Sequence, residues 1–175
     1  MLVITGPNGV GKSTLMRCLA GLERPSAGTV SWEADDRLWD RGDLRRRLGY
    51  LSPELALYEE LTARENLRFF ARLLDLSVRS APIGDLLTRV GLGSRGDDRV
   101  GDFSSGMRQR LKWAFALLAG PEALLLDEPG VTLDAEGFEL AGELVRESRD
   151  RGALVVLATN DTREMELGDD HLVLG

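Results

Sequence analysis

A glycine-rich segment, GPNGVGKST, follows a short β-rich run over residues 2–5 and leads into an apolar helical pattern. It fits the pattern G-x-x-x-x-G-K-[ST] at every position. In such a segment the backbone N–H groups of the loop and the N-terminus of the helix form a cradle for phosphate groups. The strand, the glycine loop and the helix in this order predict an α/β fold with a nucleotide phosphate site.

The chemistry of this loop requires particular side chains as well as glycines. We expect Lys12 to pair with the β- and γ-phosphates of a nucleoside triphosphate and Ser13 to ligate Mg²⁺. The residues predicted to contact the nucleotide here are Gly6, Pro7, Asn8, Gly9, Val10, Gly11, Lys12, Ser13 and Thr14.

The rest of the chain alternates strand-like and helix-like patterns. The runs LGYL (48–51), ALLLD (123–127) and ALVVLAT (153–159) are typical of strands in a parallel sheet. Alternation of Val30 and Trp32 with polar neighbours predicts a half-exposed strand. We therefore predict a single domain of 175 residues, in which a mainly parallel core of residues 1–54 and 116–175 carries a helical insert at 55–115.

The predicted insert contains two helices whose starts are marked in the sequence. Thr62 and Glu65 form a capping box before the first helix. Ser104 begins a second helix, which runs to about Leu118. Pro82 and several glycines divide the region between them into short pieces.

An acidic pair stands where a buried strand ends, in the segment LLLDEP. Ligands of open α/β sheets bind at the carboxyl ends of the strands. Asp127 is therefore a candidate to hold Mg²⁺, directly or through water, and Glu128 to polarise an attacking water molecule. The alternative is a capping or solvated acid pair.

Composition excludes some partners. The formal net charge is −7 and the isoelectric point is near 4.9, so the chain lacks the basic surface that nucleic acids require. We therefore expect no nucleic-acid partner. The one cysteine, Cys18, cannot form an internal disulfide and lies in an apolar run typical of a buried position.

Four motifs, GPNGVGKST, FSSGMRQR, LLLDEP and TLD, occur in this order over nearly the whole chain. In this respect the chain resembles the ATPase subunit of an ATP-binding cassette (ABC) transporter. The segments GPNGVGKSTLMRCLAGL and ELTARENLRFFARLL also resemble the haem-exporter-like branch. The resemblance implies a RecA-like P-loop NTPase fold, with ATP and Mg²⁺ as ligands.

The resemblance also accounts for a second predicted anion site at FSSGMRQR. Cassettes of this family dimerise head to tail, and each ATP lies between the phosphate loop of one copy and the signature motif of the other. By resemblance, the residues facing the partner's nucleotide are Ser104, Ser105, Gly106, Met107 and Asp134. Taken alone, the segment FSSGMRQR is also compatible with an ordinary serine-capped helix.

Two positions depart from the family pattern. Pro53 and Glu54 stand where the family has a glutamine that senses Mg²⁺, so Glu54 is either an oxygen ligand or an exposed residue. Asn160 stands where the family has a switch histidine, and an amide can donate a hydrogen bond but cannot carry a proton. His171 is more simply a surface residue than a substitute.

Family members begin well before the phosphate loop and extend beyond the last strand. The resemblance therefore implies truncation of the N-terminal antiparallel strands, with their adenine-stacking aromatic, and of the C-terminal extension. The expected partners are a second cassette and a transmembrane permease, which would hold the chain at the cytoplasmic face of the cell membrane. Two alternatives are a regulatory dimer with weak turnover and a soluble ABC ATPase without a transport role.

Overall fold

A computed structural model describes residues 1–76 and 83–175, so Pro82 and the rest of 77–82 lie outside the described residues. The described strands, in chain order, are β1 (Leu2–Thr5), β2 (Glu33–Ala34), β3 (Arg37–Leu38), β4 (Leu48–Leu51), β5 (Ala123–Asp127), β6 (Leu154–Ala158) and β7 (Asp170–Val173). The described helices are α1 (Lys12–Leu19), α2 (Arg41–Arg47), α3 (Ala63–Leu73), α4 (Ile83–Arg89), α5 (Ser105–Leu117), α6 (Ala135–Asp150) and α7 (Thr162–Met165).

Five of these strands form one parallel sheet in the order β4-β5-β6-β1-β7. All five residues of β5 are buried, and the last four of β6 are buried as well. This agrees with their continuous apolar sequences, because a strand covered on both faces has no polar side. The predicted parallel α/β core with helices is confirmed.

Helices α3, α4 and α5 follow one another between β4 and β5. The capping box at the start of α3 is confirmed: Thr62 Oγ1 accepts from the Glu65 N–H at 3.1 Å, and Glu65 Oε2 accepts from the Thr62 N–H at 2.9 Å. Ser104 caps α5, where its hydroxyl oxygen accepts from the Met107 N–H at 3.2 Å. The division into a core and an insert with boundaries at 55 and 115 stays a prediction.

The strand predicted around Val30 and Trp32 is wrong, because residues 29–32 belong to no strand of the described structure, although the Trp32 carbonyl accepts from the Trp39 N–H at 2.8 Å. Only β2 and β3 pair there, across a turn in which Asp35 and Asp36 have positive φ angles of 53° and 58°. The indole of Trp32 instead stacks on Trp39 with ring centroids 5.7 Å apart and donates to the Leu19 carbonyl at 2.9 Å.

One apolar core joins the helices to the sheet. Leu67 and Phe70 of α3 belong to the same buried cluster as Leu126 of β5 and Leu157 of β6. Trp113 of α5 is almost fully buried in this cluster. Across the described ranges, no helix has the length and apolar character needed to cross a bilayer.

Candidate functional site

Three chain segments with predicted site residues meet at the carboxyl edge of the sheet, because β1, β5 and β6 are parallel and end on the same side. The glycine loop follows β1, and Glu128 follows β5. Asn160 comes shortly after β6. Since β6 lies between β1 and β5, Asn160 is placed between the glycine loop and the acidic pair.

The glycine loop adopts backbone angles that residues with a Cβ atom rarely adopt. Gly9 and Gly11 have φ angles of 80° and 111°, in the region that glycine adopts without steric cost. Gly11 caps α1, and Lys12 is the first residue of the helix. The loop therefore ends at a helix N-terminus, which favours negative charge.

Lys12 is a buried cation at the centre of this edge, with 7% of its surface exposed. Its Nζ donates to the Gly6 carbonyl at 2.7 Å and to Asn160 Oδ1 at 3.1 Å. A buried charge needs such polar partners, so the ammonium group is held directly under the loop. Its role in binding phosphate groups stays a prediction.

Asn160 bridges two parts of the loop. Besides accepting from Lys12, it donates from Nδ2 to Asn8 Oδ1 at 2.5 Å. The residue at the predicted switch position thus contacts the glycine loop directly. His171 lies exposed in the edge strand β7.

Asp127 is nearly fully buried at the end of β5, and its Oδ1 has no hydrogen-bond partner. Burial raises the pKa of Asp127, while the Ser13 hydroxyl beside it and the charges of Arg17 and Lys12 act in the opposite direction. An orphaned carboxylate oxygen beside a hydroxyl is a donor set that suits a hard cation such as Mg²⁺.

Glu128 has an unusual backbone, with a φ angle of 49° that places this non-glycine residue in the left-handed region. Its N–H donates to the Ala158 carbonyl at 2.9 Å, which ties the turn to the end of β6. Burial raises the pKa of the Glu128 carboxyl, and the nearby Lys12 ammonium opposes this shift. Strained, partly buried carboxyls of this kind cluster at functional sites.

Glu54 lies on the surface, with 73% of its side chain exposed, and its Oε1 accepts from Arg17 Nη1 at 3.3 Å. Glu54 and Asp127 are not part of any group of three or more potential metal ligands within residues 1–76 and 83–175. The role of Glu54 as a metal ligand stays a prediction.

The second predicted anion site occupies a different place. Residues 104–107 and Asp134 line one cavity of about 440 Å³, and no residue of the glycine loop lines it. Asp134 caps α6, where its Oδ1 accepts from the Gly137 N–H at 2.8 Å and from Arg110 Nη2 at 3.2 Å. The structure therefore brings the signature segment and Asp134 together, apart from the glycine loop.

Sequence reasoning missed a set of residues that bind the backbone or side chains next to the predicted site residues. Gln109 Nε2 and Trp113 Nε1, both on α5, donate to the Pro129 carbonyl at 2.9 Å and 3.2 Å. Glu164 in α7 is buried and accepts from the Thr159 hydroxyl. No local pattern marks these contacts, because the partners lie on separate elements.

Comparison with known proteins decides the family. The ABC transporter family model matches residues 1–131. The chain belongs to the ABC transporter family. The recognition made from the four motifs is confirmed.

Relatives in the ABC transporter family cover almost all of this chain. The daunorubicin resistance ATP-binding protein DrrA3 of Streptomyces coeruleorubidus is 39% identical over 97% of the chain, which spans only 54% of that protein. The cytochrome c biogenesis ATP-binding export protein CcmA of Haemophilus influenzae is 35% identical over 97% of the chain and 78% of its own length. Because a drug-resistance protein and a cytochrome c biogenesis export protein both match, the haem-exporter-like branch stays a prediction.

A solved ABC cassette has the same fold. The ATP-binding cassette MJ0796, in a dimeric post-hydrolysis state bound to ADP and Pi, superposes with a TM-score of 0.83 at 26% identity. The match covers 99% of this chain and 80% of that one. The RecA-like P-loop fold predicted from the resemblance is confirmed.

Proposed function

We propose that this ABC family chain binds ATP and hydrolyses it to ADP and phosphate, and that a transmembrane subunit uses this reaction for transport. The observation that supports the proposal is the meeting of Lys12, Asp127, Glu128 and Asn160 at one edge of the sheet. A cation for phosphates, a ligand for a metal and a carboxylate for water are the parts that phosphoryl transfer to water needs.

Each residue has a distinct role in the proposed reaction. The N–H groups of the loop and Lys12 bind the phosphates and orient the γ-phosphate. Glu128 orients a water molecule for attack on the γ-phosphorus and accepts its proton. Asn160 can move from Asn8 to donate a hydrogen bond to a γ-phosphate oxygen.

Mg²⁺ fits the residues present, because Asp127 offers an unpaired buried oxygen and Ser13 offers a hydroxyl. When bound, Mg²⁺ neutralises charge that develops on the phosphate oxygens. Glu54, next to Arg17 on the surface, is a further candidate that would act through water.

The proposed active form is a head-to-tail dimer of two copies. Its support is the separate cavity formed by residues 104–107 and Asp134, whose N–H donors and helix N-terminus suit the γ-phosphate of ATP held by the other copy. Within one copy this cavity does not include the glycine loop, so both sites serve catalysis only when two copies meet.

A second candidate function is a regulatory dimer that binds ATP but hydrolyses it poorly. The observation that favours it is Asn160, because a neutral amide replaces a group that could carry charge. Steady-state phosphate release by the purified chain with ATP and Mg²⁺ distinguishes the two, because the ATPase proposal requires turnover that EDTA removes. Absence of any Mg²⁺-dependent release would favour the regulatory dimer.

Substituting Asn160→His is expected to raise turnover by up to about tenfold without tightening ATP binding, because the gained interaction belongs to the transition state. Phosphate release and calorimetric ATP affinity, measured on the variant and the parent, test this. The control is His171→Asn, which changes the number of imidazole groups at an exposed position in β7. Unchanged or lower turnover in Asn160→His would mean that Asn160 does not stand in for the switch histidine.

The proposed partner is a transmembrane permease, which holds the chain at the cytoplasmic face of the cell membrane. The predicted docking region is the segment LYEELTARENL, in which Tyr58 forms an exposed aromatic pair with Phe69, two residues beyond the end of the segment, with ring centroids 4.9 Å apart. Exposed apolar side chains of this kind mark interaction sites. The alternative for this segment is a solvated amphipathic helix.

A photo-crosslinker placed at Tyr58 or Glu60 in the assembled transporter is expected to reach the transmembrane subunit. The matched control is the same label at Glu143, an exposed position on α6. Mass spectrometry of the crosslinked products provides the measurement. If the labels at Tyr58 and Glu60 crosslink only to a second cassette, or to no protein, this docking region is excluded.

A further inference from the structure

Glu164 is a buried carboxylate with 3% of its surface exposed, and it lies in α7, four residues after Asn160. Its Oε2 accepts a hydrogen bond from the Thr159 hydroxyl. Because Thr159 Oγ1 itself accepts from the Asp161 N–H at 2.9 Å, the hydroxyl proton of Thr159 is free to point at Glu164. Glu164 thus holds the residue that immediately precedes Asn160.

The same carboxylate also contacts the turn that carries Glu128. Burial raises the pKa of Glu164, while the Thr159 hydroxyl and the neighbouring Gly130 backbone act in the opposite direction. A Cβ atom on Gly130 would collide with Glu164 Oε1 and would lie 3.2 Å from the ring of Phe138. Close packing therefore leaves no room between the turn after Glu128 and this carboxylate.

Within residues 1–76 and 83–175, no basic side chain forms an ion pair with Glu164. The adjacent Arg163 instead pairs with Asp161 at 2.6 Å and lies over the ring of Phe138 at 4.2 Å. The hydroxyl of Thr159 is consequently the donor that holds the carboxylate in the interior, packed against Gly130.

We propose that Glu164 is a positioning residue that fixes Glu128 and Asn160 relative to each other, a role that rests on the proposed ATP hydrolysis. Thr159 precedes Asn160 by one residue, and Gly130 follows Glu128 by two. A single buried group that accepts from the Thr159 side chain and packs against the Gly130 backbone sets the separation of the two loops without touching ATP. Geometry of this kind affects the transition state more than ground-state binding.

Substitution of Glu164 distinguishes a role in positioning Glu128 and Asn160 from a role in binding ATP. Glu164→Ala removes the hydrogen bond from Thr159 and the packing against Gly130, and we expect kcat for ATP hydrolysis to fall by about tenfold or more with KM within about twofold of the parent. Glu164→Gln is expected to restore most of kcat, because it fills the same space beside Gly130 and its amide oxygen can still accept from the Thr159 hydroxyl. Glu166→Ala, at an exposed position of the same segment, is the matched control and should leave kcat unchanged.

Hydrogen exchange at the Gly130 amide gives a second measurement that needs no ATP. We expect faster exchange in Glu164→Ala than in the parent or in Glu164→Gln, because only alanine removes the side chain that packs against the Gly130 backbone. If Glu164→Ala does not fold, Thr159→Val removes one donor with little change in shape and should lower kcat in the same direction.

The outcomes separate the two proposals. A parent chain without turnover would overturn the proposed ATPase, and exchange at Gly130 would still decide the role of Glu164. Unchanged kcat together with unchanged exchange in Glu164→Ala would overturn the positioning role. So would a Glu164→Gln variant that is as slow as Glu164→Ala.

Discussion

Glu128→Gln is expected to lower steady-state ATP hydrolysis by about 10²–10⁴, because an amide cannot accept the proton of the attacking water. Burial raises the pKa of Glu128, which makes its carboxylate a better proton acceptor once ionised. ATP binding should persist, since glutamine keeps the size and the polar character of the side chain. The variant should then accumulate as an ATP-bound dimer, detected by light scattering after gel filtration.

The matched control for this variant is Glu122→Gln. Glu122 is an exposed carboxylate immediately before β5, at the opposite edge of the sheet from Glu128. Its substitution should leave both turnover and oligomeric state unchanged. Turnover of Glu128→Gln within tenfold of the parent would mean that another group activates the water.

Lys12→Ala is expected to weaken ATP binding by about tenfold to a hundredfold. A hydrogen bond to a charged group contributes about 1.5–3 kcal/mol, and Lys12 is the buried cation under the glycine loop. Calorimetric titration with ATP and Mg²⁺ measures this change directly. The effect should be larger for ATP than for adenosine, which has no phosphates to contact.

Arg146→Ala is the control for Lys12→Ala, because it removes one positive charge from an exposed position on α6. Its ATP affinity should match that of the parent. Circular dichroism distinguishes lost binding from lost structure in either variant. Unchanged ATP affinity in Lys12→Ala would contradict the assignment of the phosphate loop.

Elements with a strong local pattern were predictable from the sequence. The strands β1, β5 and β6 follow continuous apolar runs, and the capping box of Thr62 and Glu65 needs only residues three apart. The segment around Trp32 has an equally clear alternation, yet strand formation also needs a partner backbone, which sequence spacing does not report.

The parts of the site that escaped prediction depend on contacts between distant residues. Asn160 reaches Asn8 across 152 positions of the chain, and its place between two loops follows from the strand order. The left-handed backbone of Glu128 is held by Ala158 of the neighbouring strand. Neither feature has a signature in the residues beside it.

The apolar core that joins α3 to the sheet makes the two thermodynamically dependent on each other. Phe70 and Leu126 lie in one buried cluster, so the helix cannot separate from the strand that carries Asp127 without exposing apolar surface. A ligand that binds only the folded loop adds its free energy of binding to the stability of this whole cluster. Nucleotide occupancy at the phosphate loop therefore protects helix α3 against unfolding, although the helix does not contribute a single residue to that loop.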